Sequence, residues 1–285
     1  GPITIQPSAQ LMLQGDYIID GFSQFGSAVP GPDLNGGTGV TQATLPIIID
    51  DVAGFNYGFL INGVCTASKI CGLRITNFDL DGIIIFGTNT VVEGCEIGID
   101  ATNVVQQNGE SGIHVVGNTN TIGGAQHWQR NIISGNGQTG GMQANIFVET
   151  IAVGTFIDGN IIGLSADGLN YVAGGNGLYG ILDIGNSTVI GDVNSGNVIS
   201  GNTTGISCSG CIGIRVFGNK IGMAYDGITA KSNSTGIFLG GGGLDAIIGK
   251  SDSLTGNLIS GNISVQIWVN DYTDVSIANN IIGPN

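Results

Sequence analysis

Positive charge is what this chain has least of. Lysine and arginine together number 7 among 285 residues, against 21 aspartates and glutamates, and the formal net charge is −14. A surface this acidic repels a phosphate backbone, so nucleic acid is excluded as a partner. No apolar run approaches the roughly 18–20 residues of a membrane span, so no membrane insertion is expected in this segment. Only 5 cysteines are present, Cys65, Cys71, Cys95, Cys208 and Cys211, an odd and scattered set rather than a disulfide framework. Cys208-Ser-Gly-Cys211 has the spacing of a redox centre or a zinc half-site. It lacks a βαβ context and a second ligand pair, so these cysteines are expected as small buried strand residues. The 2 histidines, His114 and His127, are near neither a cysteine nor one another, and neither a metal nor a cofactor is expected.

Glycine, by contrast, is abundant at 52 residues, with no three-residue period. That excludes collagen and suits turn-dense β structure. The chain also repeats itself. Asn131 to Asn136 reads NIISGN, Asn197 to Asn202 reads NVISGN and Asn257 to Asn262 reads NLISGN, with starts 66 and 60 residues apart. A second motif interleaves with the first: GNIIG at 159–163, GNKIG at 218–222 and NNIIG at 279–283. Repetition on this scale predicts a stacked array rather than a closed globule.

Aligned units give a two-coil repeat. One coil reads Gly112-Ile-His-Val115, then Thr121-Ile-Gly-Gly124, then NIISGN; the other reads Asn145-Ile-Phe-Val148, then Thr155-Phe-Ile-Asp158, then GNIIG. Each coil therefore offers three short strands with Ile or Val at alternate positions, the period of a pleated, half-buried strand. With no helices between them, like strands of successive coils pair with one another. The expected fold is all-β, a single-stranded right-handed parallel β-helix of three parallel sheets and about eight or nine coils, the hand following from the rule for parallel connections. Residues 1–46 are expected to supply N-terminal strands near Ile3–Ile5, Leu11–Leu13 and Tyr17–Ile19, followed by a long Gly/Pro-rich loop over residues 21–46 covering the first coils. Residues 47–285 supply the remaining coils as one continuous domain. Gly1-Pro2 reads as a protease scar and the chain stops inside a repeat unit, at IIGPN, so it is read as a piece of a longer polypeptide.

The third strand opens almost always on asparagine: Asn131, Asn160, Asn197, Asn219, Asn257 and Asn280, with Cys95 in that place in an early coil. Stacked, these amides bond up and down the column and pin the register, a structural role. In the first strand, the position between the two inward aliphatics points out. Coil by coil it holds Leu60, Ile84, His114, Phe147, Leu182, Ser207, Phe238 and Trp268, an outward stripe that is apolar or ring-bearing at all but Ser207. Such a stripe suits the axis of a homo-oligomer, a face on which sugar rings of a polysaccharide or cell-surface glycan stack, or a face covered by the chain's own loops. The long loops over residues 99–111, 164–179 and 223–235 leave the corner beside it and carry Tyr171, Tyr179 and Tyr225, so loop cover is the plainest of the three. Gln126-His127-Trp128 marks a second loop column, where an exposed Trp128 would be a candidate contact.

These motifs resemble those of right-handed parallel β-helix repeat proteins found as long secreted or surface polypeptides, chiefly bacterial. Here NTIGG stands at 120–124, NIISGN at 131–136, GNIIGLSADG at 159–168 and an opening IDGFSQFG at 19–26. The resemblance spans essentially the whole chain. It implies the fold and an extracellular or surface-associated location, with a virion surface equally compatible, but no activity.

Many β-helices cleave polysaccharides, and glycoside hydrolysis needs two carboxylates at one bond. The NTD, GHG and RxK signatures of polygalacturonase-type β-helices are missing here, and Asp50-Asp51 is an isolated pair. The best lyase-like set is Arg74 with Asp79 and Asp81, which an ordinary solvated turn also explains. Asp167-Gly168 and Asp226-Gly227 read as turn pairs rather than calcium ligands. The expectation is a non-catalytic surface or secreted structural or adhesion module, oligomeric or glycan-binding; the alternative is a carbohydrate-active lyase or hydrolase built on Arg74, Asp79 and Asp81.

Overall fold

The computed structural model describes residues 2–24, 26, 44–139, 141–250 and 256–283. Its strands form three sheets in which every ladder between successive coils is parallel. First strands make the nine-stranded sheet I, from Met12–Leu13 and Tyr57–Ile61 to Thr235–Gly240 and Val265–Val269. Second strands make the nine-stranded sheet II, from Ile18–Asp20 to Tyr272–Ile277, and third strands the ten-stranded sheet III, from Ile3–Ile5 to Ile281–Ile282. The described residues form a right-handed parallel β-helix of nine coils plus a tenth strand in sheet III, within the expected eight or nine coils, and the three N-terminal strands make the first of them. Ile3 pairs with Ile47, Met12 with Leu60 and Ile18 with Lys69. The covering loop expected over residues 21–46 lies largely outside the described residues.

The alternation of aliphatic residues fills the interior with three columns. In sheet I, Ile83, Ile113, Ile146, Ile181, Ile206 and Ile237 stack in register and are each 0% exposed. Matching columns run through Val92, Ile122, Ile157 and Ile190 in sheet II and through Ile97, Ile133, Ile162 and Ile199 in sheet III. Each such side chain contributes about 1.5–3 kcal/mol of burial, before the entropy of ordering is set against it.

The predicted asparagine ladder is present and continuous. The Asn131 side-chain Oδ1 accepts from the Cys95 backbone N–H, and the Nδ2 of Asn131, Asn160, Asn197, Asn219 and Asn257 each donates to the Oδ1 of the next asparagine, ending at Asn280, over 2.8–3.0 Å. Each Nδ2 also donates to a backbone carbonyl of the preceding coil, as Asn197 does to Ile157 at 2.8 Å. A second ladder went unread in the sequence. It runs from Asn108 through Asn136, Asn145, Asn202 and Asn233 to Asn262, and ends on Gln266. The last residue of each NxISGN hexapeptide was its signal. It lines the corner between sheets III and I, as the first ladder lines the corner between II and III.

The two-coil period has a steric cause at that corner. Ser134 accepts the Gly163 N–H and donates to the Leu164 carbonyl; Ser200 does the same for Gly222 and Met223. Gly163 has φ +94, and a Cβ there would collide with the Ser200 carbonyl and the Asn202 amide of the next coil. The ISGN coil and the IIG coil thus fit each other and must alternate.

The long loops do not cover the outward stripe of sheet I. They fold over the outer face of sheet III, where Ile99, Leu164, Ala166 and Val172 from the loops bury Ile132, Ile161 and Val198. Backbone bridges join Ile99 to Val105, Leu164 to Tyr171 and Val104 to Ala173. Tyr225 is held over this face by Arg130, whose guanidinium lies 5.0 Å from the ring, and by Lys220 at 4.7 Å. The corner asparagines and glycines send the chain outward on the sheet III side, so the expected loop cover of the stripe is corrected. Asp167 and Asp226 accept backbone N–H groups two residues on, as turn residues do.

Asn197→Ala removes the acceptor of the buried Asn160 backbone N–H and one of the three acceptors of its Nδ2. We expect it to lower unfolding free energy by about 2–4 kcal/mol, and Asn233→Ala in the second ladder by a similar amount. The exposed Asn194→Ala should change it little. Urea unfolding followed by circular dichroism measures all three; equal stability across them would deny the ladders their role.

Candidate functional site

Register on sheet I builds the site. Met12, Leu60, Ile84, His114, Phe147, Leu182, Ser207, Phe238 and Trp268 are successive partners in one column on the outer face. Their exposure is graded. Phe147 is fully buried and Ile84 nearly so, Leu60, His114, Leu182 and Phe238 are half-buried, and Trp268 is 51% exposed. His114 stacks on Phe147 with ring centroids 4.6 Å apart, and Phe238 meets Trp268 edge-on at 5.3 Å.

Ser207 interrupts the column between Leu182 and Phe238, and its small side chain leaves room. A groove of about 480 Å³ opens there, floored by Phe147, Leu182 and Ser207 and bounded by Met142, Phe238 and Trp268. Its other margin is a hydroxyl column: Tyr179, Thr204 and Thr235 are register partners one strand apart and all line the groove. Apolar rings on one side and hydroxyls on the other are the lining that pyranose rings bind, with C–H faces on the aromatics and O–H groups on the hydroxyls. The sequence signalled the apolar column, but the hydroxyl column was not read, because Thr and Ser at strand starts look like turn residues.

The alternative catalytic set is not assembled. Arg74 lies on the outer face of sheet III, is buried, and makes an ion pair with Glu96 in the neighbouring strand, the Nε–Oε2 distance being 3.0 Å. Asp79 is exposed on the turn, whereas Asp81 begins a strand of sheet I. The corner at residues 77–80 separates the arginine from Asp81 by one sheet, so proximity in sequence does not become a shared site. Asp81 instead meets a residue of the stripe. Its Oδ2 is 3.1 Å from His114 Nδ1, and His114 Nε2 is 3.5 Å from Glu149 Oε2.

Trp128, the other candidate contact, is 39% exposed and lies 5.4 Å over the Lys69 ammonium, which is itself paired with the buried Glu93. Gln129 donates to the same Glu93 at 2.9 Å, so this loop is pinned to sheet II. Among the described residues no group of three or more His, Cys, Asp or Glu could hold a metal ion, and no helix is long and apolar enough to cross a membrane.

The cysteine expectation needs one correction. Cys208 and Cys211 are buried, as expected, but they are joined in a disulfide, because the chain turns at Gly210, whose φ is +75, and their Cα atoms lie 5.8 Å apart. Cys65, Cys71 and Cys95 are free and buried. In the neighbouring coil Asp183 is the register partner of Cys208 and is wholly enclosed, its Oδ1 accepting the Gly185 N–H at 2.9 Å. Burial pushes its carboxyl up to about 6.

No protein-family model and no curated protein matches the chain. Among solved structures it is similar to the A-module of the Azotobacter vinelandii mannuronan C-5 epimerase AlgE6, at 12% identity and a TM-score of 0.29, covering 100% of this chain and 92% of that one. Likeness at that level is too distant to carry a substrate or a mechanism across.

A folded-state value raised above 3.8 means that Asp183 stabilises the fold fully below pH 3.8, and that this contribution is lost as pH rises through about 6. The loss amounts to about 3 kcal/mol. Asp183→Asn keeps an acceptor for Gly185 and should remove that slope, leaving the variant more stable than the parent at pH 8. Urea midpoints of both proteins from pH 4 to 8 test this, and parallel curves would count against it.

Proposed function

We propose that this chain is a non-catalytic, extracellular glycan-binding module that lays a neutral polysaccharide along sheet I, as an adhesive or structural surface protein would. The observation that carries the reading is the groove around Ser207, an apolar column ending in Phe238 and Trp268 beside the hydroxyls of Tyr179, Thr204 and Thr235. The long loops pack on sheet III, and Leu182, Phe238 and Trp268 keep part of their surface exposed on this face. A net charge of −14 disfavours uronate polymers and leaves neutral glycans as the fitting class. The Cys208–Cys211 disulfide suits an oxidising, extracellular setting.

One observation supports an enzymatic second reading: His114 held between Asp81 and Glu149, midway along the same face. There His114 would move the proton, in place of the dispersed set around Arg74.

On a glycan array followed by calorimetry, the parent chain should bind a neutral glycan, and Trp268→Ala or Phe238→Ser should weaken binding about tenfold or more at unchanged melting temperature. Light scattering should give a monomer. A dimer or trimer that dissociates on Trp268→Ala would make the face an assembly surface and end the glycan reading. Shortening of the bound glycan that His114→Ala abolishes would replace binding by catalysis.

A further inference from the structure

Sheet II carries a second cleft on its outer face, independent of the groove on sheet I. It follows from three residues at one strand position in successive coils. Phe156 pairs with Val189 and Ile157 with Ile190, which sets Gly191 beside Asp158; Val189 pairs with Arg215 and Ile190 with Val216, which sets Phe217 beside Gly191. Gly191 places no side chain between the Asp158 carboxylate and the Phe217 ring, two strand steps or about 9.6 Å apart along the stack, and the position is held as glycine because at φ +81 a Cβ would collide with the Phe217 carbonyl and the Asn219 amide. Phe156, 47% exposed, walls the adjoining column, and Asp192 brings a second carboxylate to the rim. The cleft has a volume of about 420 Å³, and no lysine or arginine lines it.

The Asp158 carboxylate is incompletely satisfied. Asp158 Oδ2 accepts the Ser195 hydroxyl at 2.6 Å, whereas Oδ1 is enclosed without a hydrogen-bond partner. Burial, and after it the neighbouring Asp192, hold the Asp158 carboxyl above its ordinary value. Two like charges beside aromatic walls are disfavoured until a cation joins them. Ring faces attract a cation through their quadrupole, and carboxylates hold an ammonium by charge-assisted hydrogen bonds. A bare divalent ion would want six or more oxygens, which this apolar slot does not offer.

We propose that the cleft formed by Asp158, Asp192, Phe156 and Phe217 binds a protonated primary amine carried on an apolar or pyranose ring, the group an amino sugar presents. The net charge of −14 concentrates such cations at the surface, and the slot selects among them by shape.

The test uses a glucosamine hexamer with free amines and its fully N-acetylated counterpart, which keeps the rings and removes the charge. By calorimetry the parent chain should bind the charged hexamer and bind the acetylated one about tenfold more weakly or not at all. Asp158→Asn, which keeps an acceptor for Ser195, should weaken the charged hexamer about tenfold, and Trp268→Ala should leave it unchanged. Diffuse attraction to the acidic surface would barely respond to the loss of one charge, so that drop reports the cleft. Phe156→Ser, on the exposed rim, repeats the test if Asp158→Asn fails to fold. Equal binding of both hexamers, no binding of either, binding untouched by Asp158→Asn and Phe156→Ser, or loss on Trp268→Ala instead would each overturn the proposal.

Discussion

At the corners between sheets II and III and between sheets III and I the backbone turns and leaves N–H and C=O groups that no strand partner reaches. In a dry interior each would cost about 1–3 kcal/mol if left unmade. The asparagine columns meet this cost twice per coil. One amide accepts from the side-chain and backbone N–H groups of a neighbouring coil and donates to a carbonyl, as Asn197 does between Asn160, Asn219 and Ile157. Because each inner amide of the first column bonds one coil below and one above, a slip of register would break that whole column at once. Everything on the outer faces depends on that constraint.

With register fixed, side chains at a given strand position fall into columns about 4.8 Å apart, and what a column can do is set by what repeats in it. Leu182, Ser207, Phe238 and Trp268 beside Tyr179, Thr204 and Thr235 become a groove on sheet I. Asp158, Gly191 and Phe217 become a slot on sheet II. In both places the functional feature is a break in the column, Ser207 in one and Gly191 in the other. A solenoid makes surface by repetition and makes pockets by exception.

Charge follows the same logic. The chain has few cations, and most of those resolved are committed to holding covering segments. Arg74 pairs with Glu96, Lys69 with Glu93 under Trp128, Arg215 with Asp245, and Arg130 and Lys220 clasp Tyr225. The acidic groups are left to define the outer potential, which is why the two proposed ligand classes are neutral or cationic.

The sequence alone determined the sheets, the first asparagine ladder, the inward isoleucine columns and the membership of the outward stripe, because each rests on strict short-range periodicity. Alternation of two within a strand and the return of NxISGN between coils leave little freedom once stacking is assumed. Tertiary structure decided the rest. The second ladder draws Asn145 from inside a strand into a column with Asn136 and Asn202, which no fixed spacing announces. The path of the long loops, over sheet III rather than sheet I, is set by which face offers Ile132, Ile161 and Val198 for burial. Arg74 and Asp81, seven residues apart, are parted by a corner, while Asp81 and His114, 33 residues apart, meet across one strand spacing. Periodicity fixes which residues share a column; only packing fixes which columns are covered and which face solvent.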